Sequence, residues 1–166
     1  AFLGADRHWP AGSIGLLHMA VLYHIEWRKA LIDVLAATQS QGAPLSTDTG
    51  QRFEAEPTDC RLGRWYYGPG RQLAPSAAFR ELEAPHRALH ACGKQLIARN
   101  RAGASMTELA PTLHELTGHS ARIVALLQEL EDAVLERLTE ARLAAVAPAL
   151  PSRTPEAPVR AASSAA

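Results

Sequence analysis

From Leu109 to Leu138 an apolar position recurs in alternating steps of four and three: Leu109, Leu113, Leu116, Ser120, Ile123, Leu127, Leu130, Val134 and Leu138. That alternation averages about 3.5 residues, so it holds one face of an α-helix over many turns, as in a bundle or coiled-coil seam. A helix with one long apolar face needs other helices to cover it. Just before the seam, Ser105-Met106-Thr107-Glu108 has the pattern of a capping box, which fixes where the helix opens.

The rest of the chain reads as partners for this helix. Between Ser13 and Thr38, Ile14, Leu17, Val21, His24, Trp27 or Arg28, Leu31 and Leu35 fall at helical spacing, which puts His24 on the apolar stripe. The stretch from Gln39 to Gly50 has no period and is expected to be a surface loop. Thr58 or Asp59 is expected to cap a helix of about two turns with Cys60 in its first turn, stopped by Gly68-Pro69-Gly70. There the free backbone amides would favour a Cys60 thiolate. A further helix is expected from Ser76 to Asn100, kinked or restarted at Pro85 and ended by Gly103. The fold class is therefore all-α, an antiparallel four-helix bundle with an additional short helix that carries the cysteine. The domain is expected over residues 11–145, followed by a disordered Pro/Ala/Ser-rich tail over 146–166.

Composition narrows the function. The chain has 166 residues, with 17 Lys plus Arg against 17 Asp plus Glu, so it lacks the basic surface of a nucleic-acid binder. No apolar run approaches the roughly 20 residues of a membrane span, so no membrane partner is expected. Two cysteines are too few for a disulfide scaffold and point to a cytoplasmic location. With no Met at position 1, the chain is expected to be trimmed from, or a fragment of, a longer protein.

Four residues carry the chemistry. His86 and His90 stand one helical turn apart and can share an ion. His24 and Cys60 sit where a helical fold can aim them at the same interior point. Three imidazoles and one thiolate would make a closed tetrahedral zinc site. Taken singly, each has a plainer account: two polar positions on a helix, a hydrogen-bonded buried histidine, and a small buried thiol.

The surrounding residues form motifs. His24-Ile25-Glu26-Trp27-Arg28-Lys29 resembles an HxxWK-type motif. The run Cys60-Arg61-Leu62-Gly63-Arg64-Trp65-Tyr66-Tyr67-Gly68 is similar to C-x-[LF]-G-[KR]-W-x-Y-G. Phe79, Leu82, Pro85, His86 and His90 resemble a third segment, F-x-x-L followed by P-H-x-x-x-H. Together, over roughly residues 15 to 100, they resemble the chemoreceptor zinc-binding (CZB) family. Pro69 departs from the family, which often has an acidic residue there.

The resemblance implies zinc held by His24, Cys60, His86 and His90. It also implies a cytosolic bacterial signalling module, often a homodimer, that serves a chemoreceptor or a diguanylate cyclase of cyclic-di-GMP signalling. No such effector is recognisable in this chain, so the output is expected in cis beyond it or from a partner in trans. Trp27, Trp65 and Tyr67 are expected to pack around the site. Asp59 and Glu83 are candidate partners for ligand N–H groups.

Other candidates carry less. In His114-Glu115-Leu116-Thr117-Gly118-His119 the second histidine comes one residue too late for a zincin motif. A step of five turns it about 140° away from the first. Cys92 faces away from His90, and His8 and His18 have no partner at useful spacing. The chain is thus expected to be a non-enzymatic zinc-binding sensory module for chemotaxis or cyclic-di-GMP signalling. Its signal would be zinc itself or redox sensing at Cys60, for example oxidation by hypochlorous acid. The alternative is a zinc-stapled dimerisation scaffold.

Overall fold

The computed structural model describes residues 12–42 and 46–146. The expected tail falls almost wholly outside them, as does His8. Six α-helices account for nearly all of the described residues: α1 (Gly12–Gln41), α2 (Thr47–Glu54), α3 (Arg61–Tyr67), α4 (Ala77–Glu81), α5 (Glu83–Arg101) and α6 (Met106–Val146). A short 3-10 helix, Pro69–Leu73, links α3 to α4. The architecture is all-α, and no strand occurs among the described residues.

The apolar seam of α6 is the spine of the core. Leu109, Leu116, Ile123, Leu127, Leu130 and Val134 are buried along it, and Leu113 and Leu138 are packed at its edge. The capping box forms as expected: the Ser105 amide donates to Glu108 Oε2 at 2.8 Å, and the Glu108 amide donates to Ser105 Oγ at 3.4 Å. Immediately before it, Gly103 adopts φ 84°. Its amide bonds the Asn100 carbonyl while the Ala104 amide bonds that of Arg99, a Schellman closure that needs a residue free to take positive φ. The tight reversal lays α5 against α6, the most extensive helix pair of the fold.

Contacts of α1 run in the opposite sense to α6. His18 Nε2 meets Glu131 Oε1 at 2.7 Å, His24 Nε2 meets Ser120 Oγ at 2.9 Å, and Gln39 donates to the Ala104 carbonyl at 2.8 Å. The two helices are therefore antiparallel. Leu17, Ala20, His24, Leu31 and Leu35 form the buried stripe of α1, so His24 is interior as its register required.

Three expectations need correcting. The stretch to Gly50 is not all loop, because α1 continues to Gln41 and α2 begins at Thr47. Ser46 caps α2 by accepting from the Thr49 amide, and Phe53 is driven fully into the core. Arg101 forms an ion pair with Glu54, and its guanidinium lies over Gly50, where an added Cβ would fall 2.1 Å from Arg101 Nη2. Secondly, the restart expected at Pro85 does occur, but two residues before it: α4 ends at Glu81 and α5 begins at Glu83. Pro85 has no N–H to give the Glu81 carbonyl, so the ladder fails there and α5 starts afresh with Pro85 in its first turn. Thirdly, α3 is capped by neither Thr58 nor Asp59: Cys60 itself is the N-cap.

Candidate metal centre

Cys60 precedes α3 with extended backbone, φ −71° and ψ 164°, and its Sγ accepts from the Gly63 amide at 3.2 Å. The preceding turn is held by Asp59 N to Glu56 O at 2.9 Å, and by Arg64 Nε donating to the Asp59 carbonyl at 2.9 Å. Gly63 makes the turn possible, since a Cβ there would lie 1.8 Å from the Pro57 carbonyl oxygen. The glycine of the Leu-Gly pair thus lets residues 57–60 fold back over the helix start and fixes where the sulfur points.

His86 and His90 come from α5, their rings 4.9 Å apart between centroids and nearly perpendicular at 83°. Cys60 Sγ lies 3.2 Å from His86 Nε2. Among the described residues, the ligand atoms of Cys60, His86 and His90 all fall within 4.8 Å of one another, with both histidines buried. In a tetrahedral zinc site, bonds of about 2.3 Å to sulfur and 2.0–2.1 Å to nitrogen put donors about 3.3–3.6 Å apart. The Cys60–His86 separation is close to that range. His90 Nδ1 is also a buried nitrogen with no hydrogen-bond partner, an orphan that a metal would satisfy. The three residues fit a metal ion.

His24 reaches the same cavity from α1. The cavity, of about 550 Å³, is lined by His24, Cys60, His86 and His90 together with Trp27 and Leu89. His24 stands outside the Cys60–His86–His90 triplet, and its Nε2 is engaged by Ser120 Oγ. Glu26, Arg52, Asp59 and Arg61 also line the cavity, and the Arg61 guanidinium sits 4.4 Å over the Tyr23 ring.

Burial sets the protonation states. It holds the His86 imidazolium pKa down at about 3, helped by the neighbouring His90 and His24. Burial likewise lowers His24 to about 4, with Arg28 adding to the effect. His90 is lowered by burial too, and the Ala55 backbone works against it. All three rings are therefore neutral near pH 7 and keep a lone pair for a metal. Cys60 moves the other way from the sequence expectation. The Gly63 and Leu62 amides do favour its thiolate, but burial outweighs them and raises the thiol pKa. Cys60 is thus a thiol in the metal-free protein and gives up its proton on binding an ion.

Of the aromatic residues expected around the site, Trp27 lines the cavity, its ring 5.1 Å from that of His90 and 5.6 Å from that of Phe53. Trp65 packs 6.0 Å from Phe79 in the core beneath α3. The Tyr67 hydroxyl donates to Glu83 Oε1 at 2.9 Å, which also receives Arg87, so Glu83 is committed elsewhere. Asp59 remains at the cavity wall. Cys92 is buried apart from the triplet, and the His114 and His119 pair does not join it. Sequence spacing alone gives Phe53, Arg61 and Ser120 no role at the site. For Ser120 the available signal was a single polar position inside an apolar seam.

Residues 24–97, a little under half of the chain, match the model of the chemoreceptor zinc-binding domain family. The matched segment begins at His24 and takes in Cys60, His86 and His90. No curated protein and no solved structure matches the chain.

Proposed function

We propose that the chemoreceptor zinc-binding domain matched by residues 24–97 makes this chain a zinc-binding regulatory module, with His24, Cys60, His86 and His90 as ligands. The observation that carries the reading is the preassembled Cys60–His86–His90 triplet, its two histidines buried and its cysteine partly so, with a fourth imidazole lining the same cavity. Its donors come from the N-cap of α3 and from α5, and His24 would add α1. An ion held there joins three elements that are separate in sequence, so binding energy becomes folding energy. The module extends over residues 11–145, because α1 and α6 supply the core on which the matched segment rests.

Cys60 supplies the means of release. It is the one anionic donor and is only partly buried, at the wall of an open cavity. Hypochlorous acid would add oxygen to its sulfur: thiolate plus HOCl gives sulfenic acid plus chloride, with sulfur oxidised by two electrons and chlorine reduced. The sulfenic acid is a poorer donor than the thiolate, so the N-terminus of α3 is freed from α5. The module would act as a cytoplasmic homodimer and pass this change to a chemoreceptor or diguanylate cyclase, in cis or in trans.

The test is to titrate the zinc-loaded protein with hypochlorous acid while following released zinc and the oxidation state of each cysteine. Zinc release tracking Cys60 oxidation is the expected result. Cys60 remaining reduced at doses that oxidise the buried Cys92 would sink the redox reading. A second reading, zinc as a permanent staple of a dimerisation scaffold, draws on the same link between α3 and α5. It predicts very slow zinc exchange and indifference to oxidant.

A further inference from the structure

We infer that Ser120 is a positioning residue for His24. Its hydroxyl accepts from His24 Nε2–H and so presents Nδ1 of that ring as the metal-binding nitrogen. The inference rests on the four-ligand reading above and deepens it. The partners are 96 positions apart in sequence, on α1 and α6, yet their atoms meet at 2.9 Å. Both side chains are sealed from solvent, His24 at 4% exposure and Ser120 at 2%. Ser120 occupies a seam position of α6 where every other residue from Leu109 to Leu138 is apolar, so its hydroxyl sits where packing alone calls for a hydrocarbon.

The donor inventory fixes the roles. A neutral imidazole has one N–H and one lone pair, and a metal takes the lone pair. Whichever nitrogen ligates, the other carries hydrogen and, in a buried site, must find an acceptor. For Nε2 the acceptor is Ser120 Oγ. Arg28 Nη1, at 3.4 Å from the same oxygen, can only donate and takes one of its lone pairs. Were the hydroxyl hydrogen to point at Nε2 instead, the ring hydrogen would sit on Nδ1 and His24 would have no lone pair for a metal. With His24 a ligand, the second lone pair therefore takes Nε2–H. Ligation through Nε2 would break the Ser120 contact and leave the hydroxyl only the longer contact with Arg28. Ligation through Nδ1 keeps every partner, in the arrangement by which a second oxygen orients a metal-bound histidine and sets its tautomer. Ser120 lies outside the matched segment 24–97, so this contact makes α6 part of the metal centre.

The decisive experiment is long-range proton–nitrogen correlation on the full zinc-loaded chain with nitrogen-15 histidine. His24 should show hydrogen on Nε2 and the metal-shifted signal on Nδ1; a metal-shifted Nε2 overturns the inference. Ser120→Ala should weaken zinc about 10–100-fold in competition against a chromophoric chelator. It should also release the His24 ring from a single tautomer in the metal-free protein, a change that lost packing alone would not cause. His24→Ala separates the two levels. If it leaves zinc affinity at the wild-type value, the four-ligand reading itself is wrong. If it lowers affinity while Ser120→Ala does not, the positioning role of Ser120 alone is overturned.

Discussion

Cys60 Sγ and His86 Nε2 stand 3.2 Å apart, one at the cap of a seven-residue helix and the other in the first turns of α5. In the metal-free protein this is a contact between a neutral thiol and a neutral imidazole, because burial raises the first pKa and lowers the second. A divalent ion converts it into a shared bond. Zinc at 1,000 times its dissociation constant should therefore stabilise the fold by about 4 kcal/mol. Thermal melts before and after chelation measure this. Cys60→Ala and His86→Ala should each abolish most of the shift; a melt that does not change on chelation would remove the metal from the account.

Gly63 should tolerate no side chain. A Cβ would fall 1.8 Å from the Pro57 carbonyl oxygen, so Gly63→Ala must push residues 57–60 away from α3 and carry the sulfur with them. The expected cost is about 1–3 kcal/mol of stability, together with weaker zinc binding. Gly118 is the control. It lies in α6 with nothing within 4 Å of an added Cβ, so Gly118→Ala should stabilise by about 0.5–1 kcal/mol and leave zinc unaffected. Melts and chelator competition on both variants give the comparison.

Acid should destabilise the metal-free protein well before its carboxylates titrate. The folded pKa values of His86 and His24, about 3 and about 4, lie below the 6.5 of an unperturbed histidine. The unfolded chain therefore binds more protons between these limits. The stability these residues contribute is fully present above pH 6.5 and is lost as pH falls towards the folded values. Each such histidine steepens the loss by about 1.4 kcal/mol per pH unit in that window. Denaturant melts from pH 7 to pH 4.5 should show this slope, and His86→Ala should make it shallower.

Phe53→Ala tests the importance of α2. The ring is 1% exposed and meets Trp27 edge-on, and Trp27 in turn lies against His90. A loss of about 3–5 kcal/mol is expected, as for a large aromatic removed from a core. Trp27 fluorescence should change with it, reporting that the wall of the metal cavity has loosened.

Much of this was written in local pattern. The four-three repeat of α6, the Ser105–Glu108 box, the stop at Gly103 and the His86–His90 pair each follow from residues within a few positions of one another. The elements that escaped depend on contacts distant in sequence. Helix α2 is only eight residues long and is held by Phe53 in the core and by Arg101 on Glu54, neither of which gives a local period. The charge state of Cys60 escaped for a related reason. A sequence shows that amides lie nearby, but not that the surrounding burial outweighs them.

Helix α6 extends far past its contact with His24. From Ser120 to Val146 at 1.5 Å per residue is about 40 Å. Its far end carries Leu135, Leu143 and Val146 exposed to solvent. Between Ser120 and Val146, Ile123, Leu126, Leu127, Leu130 and Val134 hold the helix in the core and His18 meets Glu131, so only from Thr139 to Val146 is every residue exposed. A change at the metal centre would therefore reach the exposed end of α6 only by way of that packed seam, about four turns of helix in which every shift must be shared with α1 and α5.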